Sequence, residues 1–241
     1  MTFAVGIDTS GDVGSVAVLS GDEAGIRVLS KERITDGMRR GVQLFPALAR
    51  TLKAAGVAPR DLDLVAVGTG PGSYTGLRVG ITSARALAYA AGAELLGVPS
   101  CDAWAHDVEA SLESAALGET PFETLAVVTD ARVRAVYLSL YARRTPNGGW
   151  NRTAGPEILE PAVAAARLPA GTQLVGDGPQ AYPEPLAQFQ VRPDPVRADA
   201  ATVGRIALAR HLAGERAAID AVTPLYLRKT EAERKWERLH G

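Results

Sequence analysis

The order of short apolar segments in the first half of the chain is repeated, more loosely, in the second half. An apolar strand at 3–7 ends at Asp8, and further short strands, a helix and a buried strand follow. In the second half a strand at 125–129 ends at Asp130, and the same kinds of element come after it. Two halves of the order βββαβα predict an internally duplicated α/β protein with two subdomains.

The individual elements are predicted from hydrophobic periodicity and turn residues. Gly56 closes the first helix as a C-cap. Pro46 is expected in the first turn of that helix, because a proline deeper inside would kink it. The predicted segments are strands at 3–7, 15–19, 26–29, 64–67, 125–129, 136–141 and 173–175, helices at 44–52, 76–91, 162–167 and 198–212, a turn at 146–149, and an edge strand or docked tail at 222–227.

Three parts of the chain are predicted from this order. Residues 1–104 form an N-terminal subdomain, residues 105–197 form a C-terminal subdomain, and residues 198–241 form a last helix and tail. The tail from Arg228 to His240 is charged on most faces, which is typical of a solvated or frayed helix. The alternative is a basic tail that contacts RNA or a partner.

Charge and composition restrict the classes of function. The net charge is −1, so no global basic field would bind nucleic acid without a local patch or a partner. The single cysteine, Cys101, excludes an internal disulfide framework and suits a reducing compartment, where it would act as a small buried hydrophobe. Neither a signal-peptide pattern nor a stretch of ~18 apolar residues is present, so we expect a cytoplasmic protein without membrane contact.

The segment GPGSYTGLRVG at residues 70–80 is the richest in glycine. It is not a P-loop, because it lacks the Gly-Lys-Ser/Thr ending, and its glycines do not have dinucleotide-fingerprint spacing. Pro71 and Gly72 predict a tight turn after a buried strand, and the hydroxyl of Ser73 or Thr75 would cap the next helix. The segment therefore predicts a capped helix rather than a phosphate site.

Small residues recur every four positions along this helix, at Gly76, Gly80, Ala84 and Ala88. A glycine inside a helix costs about 1 kcal/mol relative to alanine, so another backbone must approach closely in return. The approaching backbone could belong to the same chain or to another subunit. We interpret the stripe mainly as an assembly surface.

The strand ends at Asp8 and Asp130 are the candidate phosphate-binding positions. A duplicated βββαβα layout is typical of the actin-like ATPase (ribonuclease H-like) architecture, in which the hairpin of each half cradles phosphate. The first loop has the small residues that this needs, Asp8, Thr9, Ser10 and Gly11. The loop at 130–134 has no glycine, and the β-branched Val133 would be strained at positive φ. This indicates either a degenerate nucleotide site or a duplicated scaffold without a site.

Candidates for catalysis are few. The three histidines, His106, His211 and His240, are far apart and form no His-x-x-x-His pair, which argues against a metal site. Cys101 and His106 lie about 140° apart around one predicted helix, which is poor geometry for a nucleophile and its base. A carboxylate pair across a cleft, from Asp8 and Asp130, stays open. We expect neither a catalytic residue nor a metal ligand in this chain.

Four segments together resemble the TsaB family, also called YeaZ, over nearly the whole chain. They are IDTS at 7–10, GPGSYTGLRVG at 70–80, DAR at 130–132 and PLYLR at 224–228. The resemblance implies two subdomains of the actin-like type, with the C-terminal helix returning to the first. It also implies that the chain is inert by itself and that a TsaD subunit carries the metal and transfers threonylcarbamoyl to adenosine 37 of tRNA.

The same resemblance implies partners and an interface. The chain would form a homodimer when alone, pair with a TsaD-type paralogue, associate with a TsaE-type ATPase, and meet tRNA only through the complex. No tightly bound cofactor is implied, and ATP at a subunit junction is left open. The implied interface is built from helices of the N-terminal subdomain and comprises Leu44, Leu48, Gly72, Ser73, Tyr74, Thr75, Gly76, Leu77, Arg78, Gly80, Ile81 and Ala84.

Two positions depart from the family pattern. Arg40 stands where family members often have a histidine before the first helix, and Ala135 stands where they often have a glutamate. Roles tied to those side chains are therefore not carried over. The alternative function, motivated by Asp8 and its loop, is an actin-like-fold ATPase or small-molecule kinase with a partly degenerate nucleotide site. A glycopeptidase activity is disfavoured because no nucleophile or metal set supports it.

Overall fold

The computed structural model describes residues 1–35, 40–114, 122–145, 148–192, 199–228 and Trp236. It contains two five-stranded sheets, each with helices on both faces. We call each sheet, with the helices packed on it, a lobe.

The first sheet comes from the first 98 residues and has the order β3-β2-β1-β4-β5. Its first three strands are antiparallel, and β4 and β5 run parallel to β1. The central strands are buried along almost their whole length, whereas β3 alternates exposed and half-buried residues as an edge strand does. The strands are β1 Thr2–Asp8, β2 Gly14–Asp22, β3 Gly25–Ile34, β4 Leu64–Gly68 and β5 Glu94–Val98.

The second sheet repeats this topology, with the order β8-β7-β6-β9-β10. Again three antiparallel strands are followed by two that run parallel to the first of them. The duplicated α/β architecture predicted from the sequence is thereby confirmed. The strands are β6 Thr124–Asp130, β7 Val136–Thr145, β8 Gly148–Leu159, β9 Gln173–Val175 and β10 Gln190–Val191.

The helices exchange partners between the two halves. α1 and α2 share a core with one face of the first sheet, and α7 covers its other face. α3 follows the first sheet but packs on the second, where Ala105 and Val108 contact Leu125 and Tyr141. Each lobe therefore uses a helix that the other half supplies. The helices are α1 Arg40–Ala55, α2 Tyr74–Ala91, α3 Ser100–Ser114, α4 Pro161–Arg167, α5 Gly178–Ala181, α6 Pro183–Leu186 and α7 Ala200–Leu212.

Several sequence predictions need correction in detail. α1 begins at Arg40, so Pro46 lies inside the helix rather than in its first turn. Pro46 is exposed, and because it has no N–H, the carbonyl of Val42 loses its helical hydrogen bond. Val42 is exposed as well, so water can take the place of the missing donor. Three strands, β5, β8 and β10, were not among the predicted segments. The apolar segment at 222–227 forms no strand and docks as a tail. The turn predicted at 146–149 lies partly outside the described residues, as does most of the charged tail.

The two halves are joined by α3. The boundary drawn at 104/105 falls inside this helix, which runs without interruption from Ser100 to Ser114. Near its middle, Asp107 accepts a hydrogen bond from the hydroxyl of Thr202 on α7. Burial raises the pKa of the Asp107 carboxyl to about 6, and the neighbouring Asp199 adds to the shift. The junction between α3 and α7 thus contains a carboxylate that is costly to ionise.

Replacing Asp107 by asparagine should increase the free energy of unfolding by about 1–3 kcal/mol near pH 7.5. Because the folded-state pKa lies above the unfolded value of 3.8, the folded protein binds more protons between these values, and its stability falls as the pH rises through about 6. Asparagine still accepts from Thr202 and carries no charge. Urea unfolding should therefore give similar stabilities below pH 4, a difference that grows between about pH 4 and pH 6, and a constant difference at higher pH. Glu184→Gln, at an exposed carboxylate, is the control, and a pH-independent difference for Asp107→Asn would contradict the assignment.

Candidate functional site

A cavity of about 580 Å³ lies between the two lobes. It is lined from the first lobe by the loop after β1 and the glycine turn after β4, and from the second lobe by the loop after β6. The loops after β1 and β6 are the two that the duplicated layout predicts as phosphate-binding positions. The cavity is therefore the place to test whether either loop can hold an anion.

At the end of β1, the carboxylate of Asp8 is turned into the protein. It is 2% exposed. Its Oδ1 accepts from the amide and hydroxyl of Ser10 at 2.9 and 2.7 Å, and its Oδ2 accepts from the Ser100 hydroxyl at 3.1 Å. Burial raises the pKa of Asp8 above its usual range, and the hydrogen bonds offset part of this. Asp8 thus braces the turn after β5, while Ser10 and Gly11 line the cavity.

The loop after β6 has an unusual backbone. Arg132, Val133 and Arg134 have φ angles of 60°, 51° and 56°, the left-handed region that side chains other than glycine rarely adopt. The β-branched Val133 predicts strain here if positive φ is required, and the structure has positive φ at all three residues. Asp130 stabilises the turn by accepting from the Arg132 amide at 2.8 Å. Asp130 lines the cavity whereas Asp8 is buried behind it, so the two do not form a carboxylate pair that faces the cleft.

The small-residue stripe of α2 packs inside the chain. Ser73 caps the helix by accepting from the Gly76 amide at 3.2 Å. A Cβ on Gly76 would lie 2.0 Å from the carbonyl oxygen of Thr9, and a Cβ on Gly80 would lie 2.3 Å from the Thr9 hydroxyl. Thr9 is fully buried and donates that hydroxyl to the Gly76 carbonyl at 2.7 Å. The backbone that approaches the stripe is therefore the chain's own loop after β1, which corrects our interpretation of the stripe as an assembly surface.

The outer face of α1 and α2 carries exposed apolar side chains. Val42 and Phe45 on α1 are 76% and 49% exposed, and Tyr89 on α2 is 83% exposed. Ala49 and Ala86, on the same two helices, are also exposed. Both helices pack on one face of the first sheet, so their outer sides form one continuous surface. We call this surface, defined by Val42, Phe45, Ala49, Ala86 and Tyr89, the α1–α2 face.

Comparison with known proteins places the chain in one family. Residues 40–204 match the family model for TsaD, tRNA N6-adenosine threonylcarbamoyltransferase. An uncharacterized protein of Mycobacterium tuberculosis is 35% identical over 213 residues, covering 86% of this chain and 83% of that protein. The Escherichia coli tRNA threonylcarbamoyladenosine biosynthesis protein TsaB is 28% identical over 205 residues, covering 83% and 84%. A Pseudomonas aeruginosa crystal structure described as similar to peptidase YeaZ superposes with a TM-score of 0.78 at 25% identity, covering 95% and 100%.

The chain belongs to the TsaB (YeaZ) family. The resemblance that the four sequence segments indicated is thus confirmed. The structure locates the two residues that depart from the TsaB pattern. Arg40 is the first residue of α1. Ala135 is buried, and its carbonyl accepts a hydrogen bond from the Ala131 amide at 3.0 Å.

The interface residues expected of a TsaB-family chain divide into two groups in the structure. Tyr74, Thr75 and Arg78 are exposed at the start of α2, and Gly72 and Ser73 are half-buried beside the cavity. The other seven lie inside the first lobe, which corrects the prediction that they form a surface. These are Leu44, Leu48, Gly76, Leu77, Gly80, Ile81 and Ala84.

The exposed residues of the α1–α2 face were missed as interface candidates. Val42, Phe45 and Ala49 are spaced i, i+3 and i+7 and so form a second apolar stripe beside the buried one. On α2, Tyr89 lies three residues from the exposed Ala86. A helix with two apolar stripes has more apolar surface than one sheet face can cover. The second stripe of α1 was therefore the sequence signal that could have predicted an exposed apolar face.

The other candidate groups do not converge. Cys101 is buried on α3, where it accepts from Arg152 at 3.4 Å, whereas His106 is exposed on the same helix. His211 is buried in the last turn of α7, and burial lowers its pKa. Across the ranges that the structure describes, no three His, Cys, Asp or Glu side chains group as a metal site would require. Within the same ranges, no helix has the length and apolar character to cross a bilayer.

Proposed function

We propose that the chain acts in tRNA threonylcarbamoyladenosine biosynthesis as a scaffold subunit without catalytic activity of its own. The observation that carries the proposal is the likeness to the E. coli biosynthesis protein TsaB over more than four-fifths of both chains. Transfer of threonylcarbamoyl to adenosine 37 would take place on a TsaD-type partner. In this role the chain would work in the cytoplasm, where tRNA is modified, and would meet tRNA only through the complex.

The geometry supports a role in assembly through the α1–α2 face. Three large apolar side chains, Val42, Phe45 and Tyr89, stand in water on one side of the first lobe. Exposed apolar patches of this kind mark protein–protein contacts. We propose that this face pairs with a TsaD-type paralogue, and with a second copy of the chain when the partner is absent. A TsaE-type ATPase would join the pair.

Mixing the purified chain with the TsaD-type protein of the same organism tests the proposal. Size-exclusion chromatography with light scattering should show a homodimer for the chain alone and a 1:1 heterodimer for the mixture. Adding the TsaE-type protein with Mg-ATP should produce a larger species. Separate elution of the chain and the TsaD-type protein at micromolar concentration would count decisively against a scaffold role.

An ATPase or small-molecule kinase is the second candidate function. It is favoured by the cavity between the lobes, which Ser10, Gly11 and Gly72 line with small groups. Calorimetry in the same series, with Mg-ATP added first to the isolated chain and then to the mixture, separates the alternatives. Sub-millimolar binding and turnover by the isolated chain would support the kinase, whereas binding only in the mixture would support ATP at a subunit junction.

A further inference from the structure

The segment after α7 crosses the mouth of the cavity from one lobe to the other. On the first lobe, the Leu225 amide donates to the Thr69 carbonyl at 2.8 Å. The ring of Tyr226 packs on Tyr74 with centroids 4.7 Å apart, and its hydroxyl accepts from Arg78 at 3.2 Å. The segment is thus attached to the turn after β4 and to the first turns of α2.

On the second lobe the segment makes one concentrated contact. The two Nη atoms of Arg228 donate to the carbonyls of Ala131 and Arg132, at 3.1 and 3.2 Å. A planar guanidinium can satisfy two carbonyls at once, which an ammonium group cannot do with the same geometry. Leu225–Arg228 also lines the cavity, so this segment is one of its walls.

The carbonyls that Arg228 holds belong to the left-handed turn after β6. Three consecutive residues other than glycine at positive φ each carry a conformational cost, which surrounding contacts must offset. Val133 contributes little burial in return, because it is 75% exposed. The turn therefore depends on polar contacts, and Arg228 supplies two of them from the other lobe.

A second contact between the lobes ends at the same turn but is weaker. Arg132 pairs with Asp12 at 3.2 Å, and the two side chains are 69% and 71% exposed. Ion pairs this exposed contribute little, because water and salt screen them. Of these two contacts, the one that Arg228 makes is therefore the stronger.

We infer that Leu225–Arg228 is a latch that holds the two lobes closed around the cavity, with Arg228 as its releasable contact. Releasing Arg228 frees the left-handed turn to relax and lets the lobes separate at the cavity mouth. The other end of the latch stays on Tyr74 and Arg78. This equilibrium is a property of the isolated chain and does not depend on the proposed role in tRNA modification.

Hydrogen exchange of the isolated chain, followed by mass spectrometry, tests the latch. Arg228→Ala should speed amide exchange in residues 10–13 and 131–137 by about tenfold or more, because local opening becomes easier. Exchange in β1 and β6 should not change. Arg228→Lys should give an intermediate rate. Arg205→Ala is the matched control, because Arg205 is an exposed arginine that donates to the Ile26 carbonyl within the first lobe.

Two outcomes would overturn the latch. Unchanged exchange at 131–137 in Arg228→Ala would mean that Arg228 does not hold the turn. Faster exchange spread evenly over both sheets would mean that Arg228 only adds general stability. As a second measurement, spin labels on Arg60→Cys and Glu160→Cys, one exposed site in each lobe, should report a longer-distance population in Arg228→Ala on a Cys101→Ser background. An unaltered distance distribution would also reject lobe opening.

Discussion

Gly80→Leu should destabilise the isolated chain by about 3 kcal/mol or more, as a buried overpacking substitution does at its upper limit. Even a Cβ at this position would lie 2.3 Å from the hydroxyl of Thr9, and leucine adds three further carbons. Thr9 cannot move aside easily, because it is fully buried and bonded to the Gly76 carbonyl. Urea unfolding followed by circular dichroism would measure the loss.

The control for this experiment is Thr82→Leu, an exposed position two residues further along α2. It should change the free energy of unfolding by no more than about 0.5 kcal/mol. If Gly80→Leu unfolded at the urea concentration of the wild type, the close packing of α2 on the loop after β1 would be refuted. The experiment also bears on assembly, because failure of Gly80→Leu to pair would reflect a damaged fold rather than a blocked surface.

Phe45→Glu should weaken pairing with a TsaD-type partner by about 30-fold or more while leaving the fold intact. Phe45 is half exposed on the α1–α2 face, so glutamate is tolerated in the free chain. In a complex the same carboxylate would be buried without a partner, and central aromatic positions of interfaces account for about 2 kcal/mol or more. Titration by calorimetry or biolayer interferometry would give the change in Kd.

Ala54→Glu introduces the same charge on the opposite flank of α1 and serves as the matched control. Position 54 is exposed and lies nine residues from Phe45, half a turn away around the helix axis. Its effect on Kd should be less than about threefold. Equal losses from the two substitutions would point to a general charge effect, and no loss from Phe45→Glu would move the interface away from the α1–α2 face.

Local signals in the sequence were sufficient for much of the fold. β9 occupies 173–175 as predicted, and α2 starts only two residues before its predicted start. Both were predictable because a buried apolar run and a helix cap such as Ser73 depend on residues that are neighbours in the sequence. β8 could not be recognised in this way. Its sequence lacks a regular apolar alternation. It is a strand because it pairs with β7, and that pairing is interrupted by two register shifts.

The orientation of the candidate site could not be predicted, because it depends on residues distant in sequence. The stripe beginning at Gly76 correctly indicated a close backbone approach, but the approaching residue, Thr9, lies 67 positions away. Asp8 is turned inwards by Ser100, 92 positions away. By contrast, Val133 did predict strain in its loop, since a β-branched side chain at positive φ is unfavourable wherever the turn is held.

The exchange of α3 and α7 between the halves bears on how such a chain could have arisen. One half alone would leave a sheet face bare and would carry a terminal helix with nothing to cover. Two identical copies would repair both defects by trading those helices, as in a domain-swapped dimer. The present chain has the architecture of such a dimer with its two copies joined end to end. The two halves differ in what they expose, because the first carries an apolar outer face and the second a strained loop at the cleft.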